Sequence, residues 1–328
     1  MDLTQDKTNN WVIPRQRTIP RPNQDQGPTE ILVGIYTLDV AKIHEVEQSV
    51  NLDFYLGLQW HDPRLAQLID DRHLPSCQQQ LDQVWHPNIH IINQRHLTKE
   101  FKEIVEINAE GMVTYRQRFH GEFTANLDLR RFPFDDQVLK LELMSFSYSP
   151  EEITFIPGEN LNGISEEVSL VNWSIEGITT KNHSQYIKPE QRYYARFDYG
   201  IQVKRYSSFY AWRVLFPVAL IVLMSDLVFW LDPSQVIPQI TLATATMVSL
   251  ITYQFVLRQE LPRMDYLTAE DKVIVGAMLL VFLALVESVT SINLVSGGHP
   301  LLALQLDEML RWFVPISFFG LAAFAFWV

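Results

Sequence analysis

Six residues, Thr241, Ala245, Val248, Thr252, Phe255 and Gln259, stand in one line at spacings of 4, 3, 4, 3 and 4. On an α-helix they form a single stripe. The stripe begins polar or small, turns apolar in the middle and ends polar. Such a face suits a narrow watery path with an apolar constriction that opens and closes by wetting. Packing of helices through small residues produces a similar stripe inside membranes, so the pattern alone leaves both readings open. Two further groups invite chemistry because they are costly in hydrocarbon: Asp226 and Glu287 lie within long apolar runs.

Other chemistries are weakly supported. No GxSxG, P-loop, HExxH or GxGxxG pattern occurs, so no enzyme and no cofactor is expected. Cys77 is the single cysteine, which excludes an intramolecular disulfide and a CxxC metal or redox site; no metal is expected. The formal net charge of -12 argues against nucleic acid, which selects a basic face.

The elements that hold these residues fall into two halves. Four apolar runs, 209–231, 236–257, 273–295 and 309–328, approach the roughly 20 residues of a spanning helix. Trp212, Trp230, Trp312 and Trp327 sit near their ends, as an interfacial belt requires. Short linkers join the runs, with Pro262 in one and Gly297, Gly298 and Pro300 in another, which leaves no room for a cytoplasmic domain. Before Arg205 the chain is polar and aromatic. Runs such as ILVGIYTL, NLDFYLGLQW and QVLKLELMSF alternate as half-buried strands, and about ten of them imply a β-sandwich. The first thirty residues lack an apolar signal region. The expected layout is an arm at 1–28, a β-sandwich at 29–205, and a membrane domain at 206–328 with helices at about 206–231, 234–258, 267–295 and 303–328.

Several motifs then carry a resemblance: WHDPRL at 60–65, WHPNIHIIN at 85–93, LRRFPFDDQ at 129–137, RVLFP with Pro217, and LPRMDY after the second run. Together they resemble the pentameric ligand-gated ion channels of the Cys-loop receptor superfamily, over nearly the whole chain. The two loop cysteines of that family are replaced at the matching positions by Ala125 and Leu139, so the chain is similar to the cysteine-free prokaryotic members, which include amine-gated and proton-gated channels.

The resemblance implies an immunoglobulin-like extracellular β-sandwich, a four-helix membrane bundle and a homopentamer of identical subunits. It implies a multi-pass protein of the bacterial inner membrane with its N-terminal domain periplasmic, in contact with lipid, permeant inorganic ions and a small-molecule agonist or protons. The second span would line the pore, with Val248 and Phe255 as gate. Coupling would run through Phe132, Pro133 and Phe134, which would insert among the tops of the spans beside Pro262, and through Asp135, which would pair with Arg205. The ligand pocket would use Tyr55 from one subunit, and Phe146, Tyr148, Tyr186, Tyr193 and Tyr194 from its neighbour, boxing a cation over aromatic faces.

Departures from the family pattern limit what transfers. Met144 replaces the acid that holds an ammonium group in the amine-gated member, and Leu250 replaces the histidine of the proton-gated one. The inner-mouth glutamate of cation-selective relatives is missing, since Ile237, Pro238 and Gln239 stand there with Asp232 nearby. The acidic chain still favours cations. A membrane-anchored periplasmic receptor that does not conduct is the alternative reading.

Overall fold

The computed structural model describes residues 19–70, 76–232, 234–257 and 265–327. Gln259 and Pro262 lie outside the described residues, as do 1–18 of the arm.

Among the described residues, twelve strands build the first half. In order they are β1 (Thr29–His44), β2 (Ser49–His61), β3 (Ser76–Gln80), β4 (Ile89–Ile91), β5 (Gln94–Lys99) and β6 (Ile104–Asn108), then β7 (Met112–Thr124), β8 (Asp136–Ser145), β9 (Ile153–Pro157), β10 (Gly163–Ile164), β11 (Trp173–Ile187) and β12 (Arg192–Arg205). Eight strands form one sheet with the path β10-β1-β2-β7-β6-β3, to which β5 adds on β7 and β9 on β1. The other sheet runs β11-β12-β8-β4.

Alternation decides which sides of the sheets meet. On β2, Leu52, Phe54, Leu56, Leu58 and Trp60 are buried, while Asp53, Tyr55, Gly57 and Gln59 turn outward. A period of two can bury only one face, so the apolar set fixes the register. These side chains interleave with Leu139, Leu141, Leu143, Phe197 and Tyr199 of the second sheet in one apolar core. Each fully buried residue of this size contributes about 1.5–3 kcal/mol relative to exposure. Ala125 and Leu139 both lie within that core, 3% and 0% exposed.

Among the described residues, four helices long and apolar enough to cross a membrane follow: Trp212–Trp230, Val236–Leu257, Ala269–Ser296 and Pro300–Ala325. They are called the first to fourth spans below. The first is irregular, with a π-turn at Ala211–Leu215 before the α-helix Phe216–Asp226 and a 3-10 turn at Leu227–Trp230. The third span starts at Ala269, before its apolar run, because Thr268 caps it. Thr268 Oγ1 accepts from the Asp271 backbone N–H at 3.1 Å and the Asp271 carboxylate accepts from the Thr268 N–H at 3.0 Å, a reciprocal capping box. Val214, Val218, Val222, Leu250, Val273, Ile274, Ala277, Val281, Val314 and Phe318 form the shared apolar core of the spans.

Candidate functional site

Three regions bring expected residues together: the joint between the halves, the outward face of the second span, and the aromatic patches of the sandwich.

The joint is built on the loop between β7 and β8. Arg205, the last residue of β12, donates from Nε to Asp135 Oδ1 at 2.8 Å and from a terminal nitrogen to Oδ2 at 3.2 Å. A second acid, Glu45, accepts from Arg205 at 2.9 Å. The guanidinium also lies 4.0 Å from the Trp173 ring centroid and 4.8 Å from that of Phe132. Burial opposes the charge of Arg205, but hydrogen bonds and charge from Asp135 and then Glu45 outweigh it and raise its pKa. Such a buried pair contributes little net stability, yet losing one partner strands a charge.

Gln137 closes the loop. Its amide nitrogen donates to Asp135 Oδ2 at 2.6 Å and to the Asp128 carbonyl at 2.7 Å, while its carbonyl accepts from Asp128 N–H at 3.0 Å. These bonds span the loop where the resembling family carries a disulfide. Phe132 departs from the expectation that it inserts among the spans. It joins the sandwich core and touches the membrane half through Tyr210, ring to ring at 4.9 Å. Pro133 is buried beside it, after a cis peptide bond.

The loop meets the third span through its backbone. Ala269 N–H donates to the Arg130 carbonyl at 3.0 Å, and Glu270 N–H to the Phe132 carbonyl at 3.3 Å. First-turn amides of a helix have no partner within the helix, so the loop satisfies donors that the span leaves open. Tyr266 adds a hydroxyl that accepts from Leu129 N–H at 3.1 Å, and its ring lies 4.8 Å from the Arg130 guanidinium.

On the second span, Thr241, Ala245, Val248, Thr252 and Phe255 all face out of their own subunit. Val248 and Phe255 are 57% and 65% exposed, whereas Gln239, Ala243, Thr246, Leu250 and Leu257 turn inward. Thr252 Oγ1 donates to the Val248 carbonyl at 2.8 Å, so its hydroxyl is tied to the helix. At the inner end Ile237 is 78% exposed and Gln239 is fully buried. Between the first two spans, Asp232 accepts from Ser234 Oγ at 2.6 Å and Ser234 N–H at 2.8 Å. These bonds, the hydroxyl first, hold its carboxyl below the usual range.

The aromatic residues separate into groups. Phe146 and Tyr194 lie 6.1 Å apart, and Tyr186 and Tyr193 pair at 5.0 Å near the tip of the β11–β12 hairpin. Tyr194 is fully buried and its hydroxyl bonds to Glu190. The Arg192 guanidinium lies 5.7 Å from its ring. Tyr148 is drawn inward, since its hydroxyl accepts from Trp85 Nε1 at 2.8 Å. Tyr55 lies on the other sheet, stacked on Phe101 at 5.9 Å, with Arg118 beside it held by Asp53. One subunit therefore does not bring Tyr55 to the other group.

A cavity of about 400 Å³ is lined by Trp60, His86, His90, Lys99, Tyr115 and Phe119 among others. Burial lowers the pKa of both histidines; Lys99 adds to the effect at His90, while Glu103 and Asp82 partly oppose it at His86.

Comparison with known proteins covers both halves. Residues 11–207 match the neurotransmitter-gated ion-channel ligand binding domain, and 214–300 the neurotransmitter-gated ion-channel transmembrane region. The chain is similar to a proton-gated ion channel of Gloeobacter violaceus, 24% identical over 299 residues, which is 91% of this chain and 82% of the relative. It is also similar to gamma-aminobutyric acid receptor subunits: beta-4 of Gallus gallus, 26% identical over 81% of this chain, and theta of Mus musculus, 26% identical over 82%. The chain spans 56% and 43% of the length of those two subunits.

Proposed function

Since the chain belongs to the neurotransmitter-gated ion-channel family, we propose that it assembles as a homopentameric ligand-gated channel. Its membrane half is multi-pass, and the bilayer is the bacterial inner membrane. The domain division is that of an arm at 1–28, a ligand-binding sandwich at 29–205 and a membrane domain at 206–328.

The observation that carries this reading is the orientation of the second span. Its interrupted polar stripe is turned away from its own bundle, with Val248 and Phe255 bare to the outside. In a ring of five copies these side chains face a common axis, where two apolar girdles exclude water until they separate. The agonist is a small amine or other cation, or a change in pH, acting where Tyr55 of one copy meets Phe146, Tyr186, Tyr193 and Tyr194 of the next. Cations are the permeant ions, supported by the acidic chain and by Asp232, which stays ionised at the inner end.

The joint supports the route of coupling. Asp135 and Arg205 bind the floor of the sandwich to the entrance of the first span, and the carbonyls of Arg130 and Phe132 bind it to the third. Ligand-driven motion of β12 thus reaches two spans at once.

Purified protein in planar bilayers, exposed to a panel of amines and a range of pH, tests the proposal. Currents that reverse near the sodium potential in a sodium chloride gradient support a cation channel. Binding of an amine without any current supports the non-conducting receptor instead.

A further inference from the structure

The bundle buries acids that the pore does not use. Glu287 on the third span and Asp307 on the fourth are 3% and 2% exposed. Their side chains meet, with fully buried Ser291 beside them. Among the described residues, both carboxylate oxygens of Glu287, Oδ1 of Asp307 and Oγ of Ser291 have no hydrogen-bond partner. Glu287 lies about 14 Å from the end of the third span and Asp307 about 10 Å from the start of the fourth, at 1.5 Å per residue, so the two meet at one depth.

The surrounding charges do not balance. Arg311, one turn beyond Asp307, donates to the Phe229 carbonyl at 2.8 Å and lies 4.2 Å from the Trp230 ring centroid. It faces Asp307 and, on the first span, Asp226, whose Oδ1 is also unpartnered. The second span carries no carboxyl, amine, guanidine or imidazole group between Val236 and Leu257. Two acids, Asp226 and Asp307, therefore share one guanidinium, and Glu287 adds a third carboxyl beside Asp307.

Two ionised carboxylates are acceptors only and give each other nothing. Bringing them together in a low-dielectric interior adds repulsion to the cost of desolvating each. A single proton between them removes one charge and supplies the missing donor, as an O–H···O⁻ hydrogen bond of the short, strong kind. A metal ion is a poorer fit, because among the described residues no group of three or more histidine, cysteine or acidic side chains is arranged to hold one.

We propose that Glu287 and Asp307 form a proton-binding site inside the membrane domain, holding one proton between them and tying the third span to the fourth. The site is separate from the pore stripe and from the aromatic patches. It does not depend on the channel reading.

The test is infrared difference spectroscopy on the full chain in lipid nanodiscs. At neutral pH the wild type shows the carbonyl stretch of a protonated carboxylic acid. Asp226→Asn keeps that band, whereas Glu287→Gln and Asp307→Asn each lose it. Alkali removes the wild-type band and lowers the melting temperature. Glu287→Gln, whose amide is a permanent donor to Asp307, loses this alkaline drop. Absence of the band from the wild type at neutral pH overturns the proposal, and so does its survival in both single variants. A wild-type melting temperature that rises with sodium at fixed pH, and no longer does so in Glu287→Gln, overturns it in favour of a bound cation. Where a variant fails to assemble, the wild-type band and its loss in alkali decide.

Discussion

Asp135 and Arg205, separated by 70 residues in the chain, meet in a two-pronged ion pair with both side chains 1% exposed. The pair joins the loop that touches the third span to the strand that runs into the first. Replacing Asp135 by Asn keeps the shape and removes the charge, leaving Arg205 with Glu45 alone. Breaking a buried pair costs about 3–5 kcal/mol when one partner is lost. The expected outcome is a pentamer that still elutes as one, with an activation curve displaced by more than tenfold or abolished. A wild-type curve in Asp135→Asn contradicts the coupling role.

The backbone contacts at the joint make a separate prediction. Ala269 is the first helical residue after the Thr268 cap, a position where proline is accepted. Ala269→Pro deletes the N–H that reaches Arg130 while keeping the helix. Its helical content by circular dichroism should match the wild type, and its maximal current should fall. Equal currents at equal surface expression would show that this hydrogen bond transmits nothing.

For the pore, Val248→Ser places hydroxyls in one apolar girdle. Easier wetting should raise spontaneous open probability and lower the half-activating stimulus. Single-channel recording checks this, and unchanged gating and conductance would show that Val248 does not face the axis.

For the ligand pocket, Phe146→Ala removes a ring that lies 6.1 Å from Tyr194. Loss of about 1.4 kcal/mol of cation–π attraction corresponds to roughly tenfold in apparent affinity. A tenfold rise in the half-activating concentration of an activating amine is expected. An unaltered value would move the cation away from this patch.

The cavity histidines set an acid limit. Burial lowers the pKa of His86 and His90 below the ordinary 6.5. The unfolded chain therefore binds more protons in that range, and stability rises with pH. The contribution is complete above about pH 6.5 and is lost as pH falls through it towards the folded-state values. Melting temperature against pH should show an acid drop in the wild type that flattens in the His86→Gln, His90→Gln double variant. The same drop in both proteins would assign the acid limit elsewhere.

What the sequence reveals follows the range of each interaction. The alternation of β2 and the line from Thr241 to Phe255 are local periodicities, so both are legible from neighbours two to four residues apart. The partners of Arg205 are not. Glu45 lies 160 residues away, and Trp173 faces it only because β11 pairs with β12 in the register Trp173↔Arg205. Gln137 stands in plain view within RRFPFDDQ, yet its bridge to Asp128 exists only once the loop has closed. Asp307 and Arg311 escape notice because they precede or begin the apolar run of the fourth segment, and the carboxyl they answer to sits on another helix.

The carbonyls of Arg130 and Phe132 on the first amides of the third span have a wider consequence. Every amino acid brings a carbonyl and every one but proline an N–H, so apart from excluding proline at the donors this contact places no demand on which side chains flank it. A joint made in this way can stay intact while the residues around it diverge, and it makes the two halves exchangeable parts. Chimaeras that carry the sandwich of one relative on the membrane domain of another need to preserve the path of the backbone here more than its spelling.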